Sequence, residues 1–459
     1  MELISTNPSN DFEPIGSVEI TIKEEISETV KKAKIAQGKW AELTIQNRCD
    51  ALISFIEVSN KRFEEIAKII SLETGRPISS SRGNVSGGIS YLQTYIEIAQ
   101  ENLSPRATFE TDSEIHKAYM EPYGVIAVIA PWNYPFLNIA FQCGQALLAG
   151  NTIVFKNSEE NPLFAKLLAE LISESQLPEN VFNVIYGDGE VGQALVNDEI
   201  DMISFTGSTK TGLELTKLAA EKFIPIITEL GGSSPGIIFE DANLEESVIE
   251  LIYGLRFWNS GQSCDALKRL LVHESIFEET VKQLVRIVAN KKVGNALDED
   301  SDIGPLISQK QLQTLETQVQ DALDKGAVIR SDVTNGTSEL KGVYFQPTIL
   351  TNISKDMKVW SEEVFGPVLP VVSFKDEEEA IELANDTEYG LGAFVFTQDK
   401  EKYLRVARKL DTSMIAHNKV MYWNPRNPFG GYKKSGMGRT HGEFGFKEVT
   451  QIKLISQEK

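Results

Sequence analysis

From residue 123 to 240 the sequence alternates short apolar runs with helix-like segments, and this alternation constrains the fold more than any other feature. The runs are GVIAVIAP, TIVFKNS, VFNVIYG, MISFTG and PIITELG, and each but the last is followed by a helix-like segment. Val125 to Ala130 is apolar throughout, which is typical of a strand covered on both faces. The pattern therefore predicts a parallel sheet with helices on its faces.

The sequence on either side of this stretch indicates further units. Residues 24–103 carry apolar positions at three- and four-residue intervals, which predicts an all-helical opening. Residues 104–121 are polar and β-leaning, and we interpret them as a hairpin or a projecting arm. After Gly232 the alternation restarts and ends near residue 420, which predicts a second α/β lobe. A chain of 459 residues exceeds the usual size of one hydrophobic core, in agreement with two lobes.

The formal net charge of −21 argues against a nucleic-acid-binding protein, because such binding relies on Lys and Arg displacing counterions from phosphates. No stretch of about 18 apolar residues occurs, and the first residues lack the basic and apolar regions of a secretory signal. We therefore expect a cytoplasmic protein with neither membrane nor nucleic-acid partners. The three scattered cysteines fit a reducing compartment, because they are too few for a disulfide framework.

Cys264 is the cysteine whose surroundings indicate reactivity. It ends the turn-forming sequence NSGQSC after a helical run, where a thiol can lie exposed beside backbone N–H groups. Cys49 and Cys143 lie on helix-like segments, and we expect them to be buried and inert. Most lone cysteines are of that inert kind, so the turn by itself leaves both interpretations of Cys264 open.

A thiol nucleophile requires a base and a site for an oxyanion. None of the four histidines lies in a pattern typical of a base, and paired Cys and His spacing is absent, so no metal is predicted. Glu229 ends the apolar run IPIITE, where partial burial would raise the pKa of its carboxyl toward neutrality. A solvated glutamate at the end of a strand is the alternative.

Two segments offer a phosphate site. Gly187, Gly189 and Gly192 form G-x-G-x-x-G after a strand, yet Asp188 and Glu190 would place carboxylates beside a pyrophosphate, so a simple tight turn explains them equally well. The sequence Thr206–Thr209 opens the next helix, and the backbone N–H groups there suit a pyrophosphate. An ordinary helix cap at Ser208 or Thr209 is the alternative.

Lys156 and Glu159 leave the end of the run TIVFK, at the sheet edge where α/β proteins bind ligands. Lys156 can bridge ribose hydroxyls, and Glu159 can accept hydrogen bonds from an adenosine ribose. A carboxylate there would repel a 2′-phosphate, which favours NAD over NADP. A surface ion pair on a loop is the alternative.

Taken together, these residues resemble the aldehyde dehydrogenase superfamily over essentially the whole chain. The motifs occur in the family's order, and they are Pro131-Trp132-Asn133-Tyr134-Pro135, Lys156 with Ser158-Glu159, Phe205-Thr206-Gly207-Ser208-Thr209, Glu229-Leu230-Gly231-Gly232, Gly261-Gln262-Ser263-Cys264, Glu363-Val364-Phe365-Gly366-Pro367 and Pro428-Phe429-Gly430-Gly431. Each motif is weak by itself, but seven in the right order are not expected by chance.

The resemblance implies that Cys264 attacks the aldehyde carbon while the Asn133 amide and the Cys264 backbone N–H stabilise the oxyanion. After hydride transfer to NAD, Glu229 activates the water that hydrolyses the thioester. The resemblance also implies the residues that contact the cofactor, which are Trp132, Lys156, Ser158, Glu159, Gly187, Phe205, Gly207, Ser208, Leu230, Gly231, Glu363 and Phe365.

The family's fold implies two doubly wound parallel-sheet domains and a small β arm. Residues 1–104 and 123–232 would form the Rossmann-like cofactor domain, and 233–420 the catalytic domain. Residues 105–122 and 421–459 would form an oligomerisation arm, which implies a homodimer or homotetramer.

The same alignment implies a substrate tunnel that is aromatic with one acid, drawing on Asn138, Phe141, Trp258, Asp265 and one of Tyr422 or Trp423. Asp265 beside Cys264 should disfavour both a thiolate and an anionic substrate. Arg256 is the nearest base, but it is displaced from the position where family enzymes for semialdehyde acids carry arginine. We therefore expect an apolar or cationic aldehyde rather than a dicarboxylic semialdehyde.

Three alternatives to this function stay open. The first is a relative that passes the thioester to coenzyme A or phosphate, against which Glu229 argues because activating water is its main purpose. The second is a cysteine hydrolase that needs no nucleotide, and the third is a catalytically silent relative.

Overall fold

The computed structural model describes residues 1–331 and 340–459. Residues 332–339 fall inside the range predicted for the catalytic domain and lie outside the described residues. Within the described ranges, two large sheets dominate the fold, and three smaller sheets accompany them.

The first large sheet is built from the apolar runs of residues 123–240. Its strands, in spatial order, are Gly436–Met437, Ile226–Glu229, Met202–Thr206, Val125–Ile129, Thr152–Lys156 and Phe182–Ile185. All neighbours are parallel except Gly436–Met437, which pairs antiparallel with Ile226–Glu229. The strand order reverses between Val125–Ile129 and Met202–Thr206, which is the place where open α/β sheets bind ligands.

The second large sheet is built from strands that follow Gly232 in the chain. Its strands, in spatial order, are Val328–Ile329, Thr348–Thr351, Val368–Phe374, Leu267–His273, Ser234–Ile238, Gly392–Phe396 and Met414–His417. Only Val328–Ile329 is antiparallel to its neighbour. Ser234–Ile238 and Gly392–Phe396 are buried along their full length, as expected for strands covered on both faces.

The smaller sheets are antiparallel. Arg106–Glu110 and Glu114–Pro122 form the predicted hairpin, and Thr450–Glu458 pairs with its second strand. The pair Glu2–Asn7 and Glu13–Glu19 forms an N-terminal hairpin that the sequence did not reveal. Tyr389–Gly390 and Tyr432–Lys433 form the remaining pair.

Helices cover the faces of both large sheets, and none of those described is long and apolar enough to cross a membrane. The helical opening of the chain is confirmed, and Gly75, at φ 72°, ends the third of its helices. The α-helices are Lys23–Glu42, Ile45–Lys61, Phe63–Thr74, Ile78–Leu103, Pro135–Ile139, Gln145–Ala149, Pro162–Glu174, Gly189–Asn197, Thr209–Lys222, Glu246–Phe257, Phe277–Ala289, Gln309–Asp324, Lys358–Ser361, Glu377–Asn385, Lys400–Ala407 and Gly442–Glu448, with a π-helix at Ala140–Gly144 and 3₁₀-helices at Trp258–Gly261 and Glu274–Ile276.

Candidate active site

Glu229 is the last residue of the strand Ile226–Glu229, and its backbone carbonyl accepts a hydrogen bond from Gly207 N–H at 3.0 Å. Its side chain is buried, and within the described structure neither carboxylate oxygen has a hydrogen-bond partner. Burial raises the pKa of Glu229 to about 8, since the favourable field of Arg439 only partly offsets it and Asp265 adds to the rise. The structure thus holds a carboxyl that exchanges protons near neutral pH, as the sequence predicted.

Cys264 follows a turn of unusual backbone geometry. Asn259, Ser260 and Gly261 all lie in the left-handed region, with φ values of 53°, 55° and 72°. For non-glycine residues this conformation is costly, and it persists where the surroundings fix it. Ser260 Oγ donates to the carbonyl of Gly304 at 2.9 Å, and this hydrogen bond fixes the turn to the segment around Gly304. The turn thereby holds the half-buried Cys264 in a fixed position.

Asn133 follows the strand Val125–Ile129 and reaches the same turn. Its Nδ2 donates to the carbonyl of Gln262 at 3.1 Å, two residues before Cys264. The Asn133 carbonyl accepts hydrogen bonds from Arg76 Nη1 at 2.8 Å and from Asn259 Nδ2 at 3.1 Å. This network brings the amide of one lobe against the nucleophile turn of the other.

Cys264, Glu229 and Asn133 line a single cavity of about 240 Å³. The sequence proposed this meeting of a thiol, a carboxylate and an amide from positions far apart in the chain. The strand ends of the first sheet supply two of the three, and the loop between a helix and a strand of the second lobe supplies the third.

Aromatic rings form a large part of the remaining cavity wall. Asn138, Phe141, Trp258, Asp265 and Trp423 line it as predicted. They are joined by residues that the sequence analysis did not assign to the tunnel, among them Tyr91, Tyr134, Leu137 and Phe429. The prediction named either Tyr422 or Trp423 as a tunnel residue. Tyr422 packs on Phe394, with ring centroids 5.7 Å apart, and Trp423 is the one that lines the cavity.

Arg256 plays a structural part and is not the base nearest the tunnel. Its guanidinium is fully buried and donates to the backbone carbonyls of Val364, Gly366 and Val368. Arg76, which the sequence did not indicate, is the arginine that lines the cavity. An arginine ending an amphipathic helix gives no signal of which partner it will meet, and this is why the assignment was wrong.

Lys268 and Glu363 form an ion pair, buried on the lysine side, that the sequence also did not reveal. Lys268 is only 1% exposed, and its Nζ lies 5.1 Å from the ring centroid of Phe365. Glu363 also accepts a hydrogen bond from Gly232 N–H at 3.1 Å. A lysine four positions after Cys264, inside a buried strand, was the available signal, because a buried lysine requires an acidic partner.

Both members of this ion pair affect the pKa of the Cys264 thiol. Burial raises the pKa of Cys264 well above its ordinary value, and the carboxylates of Asp265, Glu363 and Glu229 raise it further. Lys268 acts in the opposite direction and lowers the pKa of that thiol. The lysine therefore favours the reactive thiolate among groups that oppose it.

Replacing Lys268 with methionine is expected to raise the pKa of the Cys264 thiol and to slow its alkylation by iodoacetamide about tenfold at fixed pH, since one pKa unit changes the thiolate fraction tenfold. The pH dependence of alkylation, followed by mass spectrometry, checks this. Lys268→Arg keeps the charge and should retain most of the reactivity, whereas Lys31→Met removes an exposed charge as a control. An unchanged pH profile in Lys268→Met would contradict the role.

The residues proposed for the cofactor's ribose lie at the edge of the first sheet. Lys156 ends the strand Thr152–Lys156, is 4% exposed, and pairs with Glu159 at 3.3 Å. Burial lowers the pKa of Lys156, while Glu159 acts against that shift. Ser158 Oγ accepts a hydrogen bond from the Glu160 N–H at 3.3 Å and so shapes the same loop.

The glycine-rich sequence folds as a tight turn. Gly187 has φ 152°, and a Cβ there would collide with Val191. Asp188 caps the helix Gly189–Asn197 by accepting a hydrogen bond from Glu190 N–H at 2.9 Å, so its carboxylate occupies part of the helix start. These contacts favour the interpretation that the glycines serve the turn.

The next helix start has a different cap. Ser208 caps the helix Thr209–Lys222, with its Oγ accepting from Thr211 N–H at 3.2 Å. A Cβ at Gly207 would come within 2.5 Å of the Phe205 ring, which explains the glycine there. The cap is uncharged, so the positive end of this helix is not neutralised by its own side chain.

The remaining predicted cofactor residues adjoin one another between the lobes. Trp132 and Phe365 meet edge to face, with centroids 5.8 Å apart. A Cβ at Gly231 would lie 2.5 Å from Glu363 Oε2, so the backbone after Glu229 approaches this carboxylate closely. The N–H of Leu230 donates to the Ser435 carbonyl at 2.9 Å.

Comparison with known proteins identifies the family to which this chain is similar. The family model described as "Aldehyde dehydrogenase family" matches residues 2–455. A betaine aldehyde dehydrogenase of Bacillus subtilis is 36% identical over 98% of this chain and 92% of its own length. A succinate-semialdehyde dehydrogenase [NADP(+)] of Escherichia coli is 34% identical over 98% and 93%.

A solved structure with the same fold is that of betaine aldehyde dehydrogenase from Staphylococcus aureus in complex with NAD⁺. It superposes with a TM-score of 0.93 at 33% identity, covering 99% of this chain and 91% of that one.

Proposed function

The chain belongs to the aldehyde dehydrogenase family and oxidises an aldehyde to a carboxylic acid, and from this premise we propose that Cys264, Glu229 and Asn133 carry the reaction. The observation that supports the assignment most directly is that the three side chains line one cavity of about 240 Å³. A panel of aldehydes mixed with the protein and NAD, with the absorbance of reduced nicotinamide as readout, tests the activity.

In the first step, the Cys264 thiol loses its proton to solvent, its Sγ forms a bond to the aldehyde carbon, and the π electrons of the C=O bond move to the oxygen, which takes up the negative charge. Asn133 Nδ2 has two hydrogens, and its bond to the Gln262 carbonyl uses one of them. The second hydrogen and the Cys264 backbone N–H are proposed to donate to the developing oxyanion. Donors fixed before the reaction stabilise such a charge without reorganisation.

In the last step, Glu229 removes a proton from the water that attacks the thioester carbon. The C–S bond then breaks, releasing the carboxylic acid and the Cys264 sulfur. Both oxygens of Glu229 are without a partner in the described structure, which leaves them free to bind that water. A base whose pKa is about 8 is well matched to catalysis near neutral pH.

The family uses NAD or NADP, and the residues at the sheet edge fit such a dinucleotide. Lys156 is buried and yet keeps its Nζ on Glu159, so a cation and an acceptor lie together where ribose hydroxyls require both. The remaining contacts would come from the uncharged helix start at Ser208 and from Trp132, Phe205, Leu230, Glu363 and Phe365. When bound, the nicotinamide group supplies the hydride acceptor.

We propose NAD as the preferred form because of Glu159. Its carboxylate lies 3.3 Å from Lys156 Nζ, and a 2′-phosphate on the neighbouring ribose would face this negative charge. Some relatives carry NADP in their names, so the family alone does not decide the preference.

Replacing Glu159 with serine is expected to raise the ratio of kcat/KM for NADP to that for NAD about tenfold, since it removes a like-charge repulsion on the order of 1 kcal/mol or more, and about 1.4 kcal/mol corresponds to a factor of ten. Initial rates with both cofactors, at one saturating aldehyde concentration, give the ratio. Glu214→Ser removes an exposed carboxylate elsewhere and should leave the ratio unchanged. A Glu159→Ser enzyme with the wild-type ratio would rule out Glu159 as the discriminating residue.

Residues 1–104 and 123–232 are proposed as the cofactor domain and 233–420 as the catalytic domain. Residues 105–122 and 421–459 are proposed as the oligomerisation arm of a homodimer or homotetramer. In support, Thr450–Glu458 is exposed beyond its first residue and presents the apolar Ile452 and Leu454. The free thiols agree with a cytoplasmic protein, because the chemistry requires Cys264 to stay reduced.

A further inference from the structure

We infer that Asp265 and the aromatic wall around it select an aldehyde that carries a positively charged nitrogen. This inference rests on the proposed function and names the substrate class of the same cavity. It narrows the choice between an apolar and a cationic substrate that the sequence left open.

Asp265 is held in a defined orientation beside the nucleophile. Its Oδ1 accepts a hydrogen bond from Ser263 Oγ at 2.7 Å, and its Oδ2 accepts one from Trp423 Nε1 at 2.6 Å. An ionised carboxylate has about four acceptor sites, so two neutral donors leave acceptor capacity for a ligand. Neither donor neutralises its charge, and a cation entering the cavity meets an uncompensated carboxylate.

Several aromatic rings line the same cavity as this carboxylate. Tyr91 and Phe141 lie with centroids 4.9 Å apart, and Phe141 and Phe429 lie 5.9 Å apart. Trp258 and Trp423 are half-exposed and line the same cavity. The faces of such rings attract ammonium groups, and cages of aromatic rings recognise quaternary ammonium groups in particular.

The other charges around the cavity do not favour an anion. In the part of the chain that the structure describes, the charged residues lining it are Arg76, Glu229 and Asp265. Arg76 already donates to the Asn133 carbonyl, and its guanidinium stacks 4.2 Å from the Tyr134 ring centroid. Two further cations lie nearby: Lys268 is paired with Glu363, and Arg439, whose field reaches Glu229, donates to the carbonyls of Gly431 and Gly438. The cation of this wall is thus the buried Arg76, which is engaged with the Asn133 carbonyl and the Tyr134 ring, while Asp265 beside Cys264 would repel a second carboxylate on the substrate.

The net charge of the whole protein also favours a cationic substrate over an anionic one. With a formal net charge of −21, the protein raises the local concentration of cationic ligands and disfavours anionic ones. The cavity volume of about 240 Å³ suits a short aliphatic chain that ends in an ammonium or trimethylammonium group.

The test compares substrates that differ only in charge. Trimethylammonio-acetaldehyde and 3,3-dimethylbutanal have the same shape, and 3-aminopropanal and butanal form the corresponding pair for a primary ammonium. In the wild-type enzyme, kcat/KM is expected to be about tenfold or more higher for the charged member of at least one pair. The pair that shows the preference identifies which ammonium group the cavity accepts.

Asp265→Asn should lower that charged-to-neutral ratio about tenfold. The change also removes a negative charge from beside Cys264 and so alters thiol reactivity toward every aldehyde, and the ratio cancels this common effect. Trp423→Phe keeps an aromatic ring but removes the hydrogen bond to Asp265, and it should lower the ratio less. If Asp265→Asn is not obtained folded, the salt dependence of KM for the charged member in the wild-type enzyme replaces it, and KM should rise with ionic strength.

The inference is overturned if neither pair shows a preference for charge, if Asp265→Asn keeps the wild-type ratio, or if succinate semialdehyde gives the highest kcat/KM. These outcomes differ from failure of the proposed function, in which no aldehyde, charged or neutral, reduces NAD or NADP.

Discussion

Replacing Cys264 with alanine is expected to lower kcat for aldehyde oxidation by at least about 10³-fold, because the covalent route requires the thiol. The side chain is small and half-buried, so the fold should persist, and circular dichroism checks that it does. Steady-state formation of NADH with a saturating aldehyde measures the loss.

Cys49→Ala is the matched control, because Cys49 is a buried thiol on the helix Ile45–Lys61, away from the cavity. It should keep near wild-type kcat. If Cys264→Ala retained activity within tenfold of wild type, another group would have to be the nucleophile.

Replacing Glu229 with glutamine is expected to lower kcat by about 10² to 10³-fold, since loss of a general base typically costs this much. The step affected is hydrolysis, so the first turnover should still release one equivalent of NADH per active site. The acyl group then remains on Cys264, where intact-protein mass spectrometry should detect it.

The pH dependence gives a second signature of the same residue. Below pH 8 the Glu229 carboxyl is mainly protonated and cannot accept a proton, so hydrolysis should quicken as pH rises through about 8. Glu229→Gln should lose this rise. Attack by Cys264 also quickens with pH, because its thiol pKa is raised, and single-turnover rates separate the two steps.

Glu448→Gln is the control, because Glu448 is another partly buried carboxyl in the field of Arg439 but does not line the cavity. It should turn over without accumulating acyl-enzyme. A Glu229→Gln enzyme that neither accumulates the adduct nor loses its pH dependence would exclude Glu229 as the base.

The sequence was most informative where local patterns determine structure. Fully apolar runs such as Val125–Ile129 predicted buried parallel strands, and Glu229 at the end of such a run predicted a buried carboxyl with a raised pKa. Both conclusions depend on neighbours in the chain, and neighbours are visible in a sequence. The meeting of Asn133 with the Cys264 turn required knowledge of the family's motifs, because it joins positions about 130 apart.

Other features were missed because their partners are distant in the chain. A lysine inside an apolar strand, such as Lys268, requires an acid nearby, but the sequence does not show that this acid is Glu363, 95 positions away. The short strand Gly436–Met437 pairs with Ile226–Glu229 across more than 200 residues, and two residues carry no periodic pattern. The hairpin Glu2–Asn7 and Glu13–Glu19 escaped prediction because its residues are mostly polar.

The left-handed turn at Asn259–Gly261 leaves little room for variation next to the nucleophile, because most side chains are strained in that conformation. The wall of the cavity is different, since Tyr91, Phe141 and Trp423 come from separate segments that do not shape the turn. Evolution can therefore exchange wall residues and change which aldehyde is accepted while the chemistry at Cys264 is inherited unchanged. In this architecture, substrate range and reaction type can diverge independently.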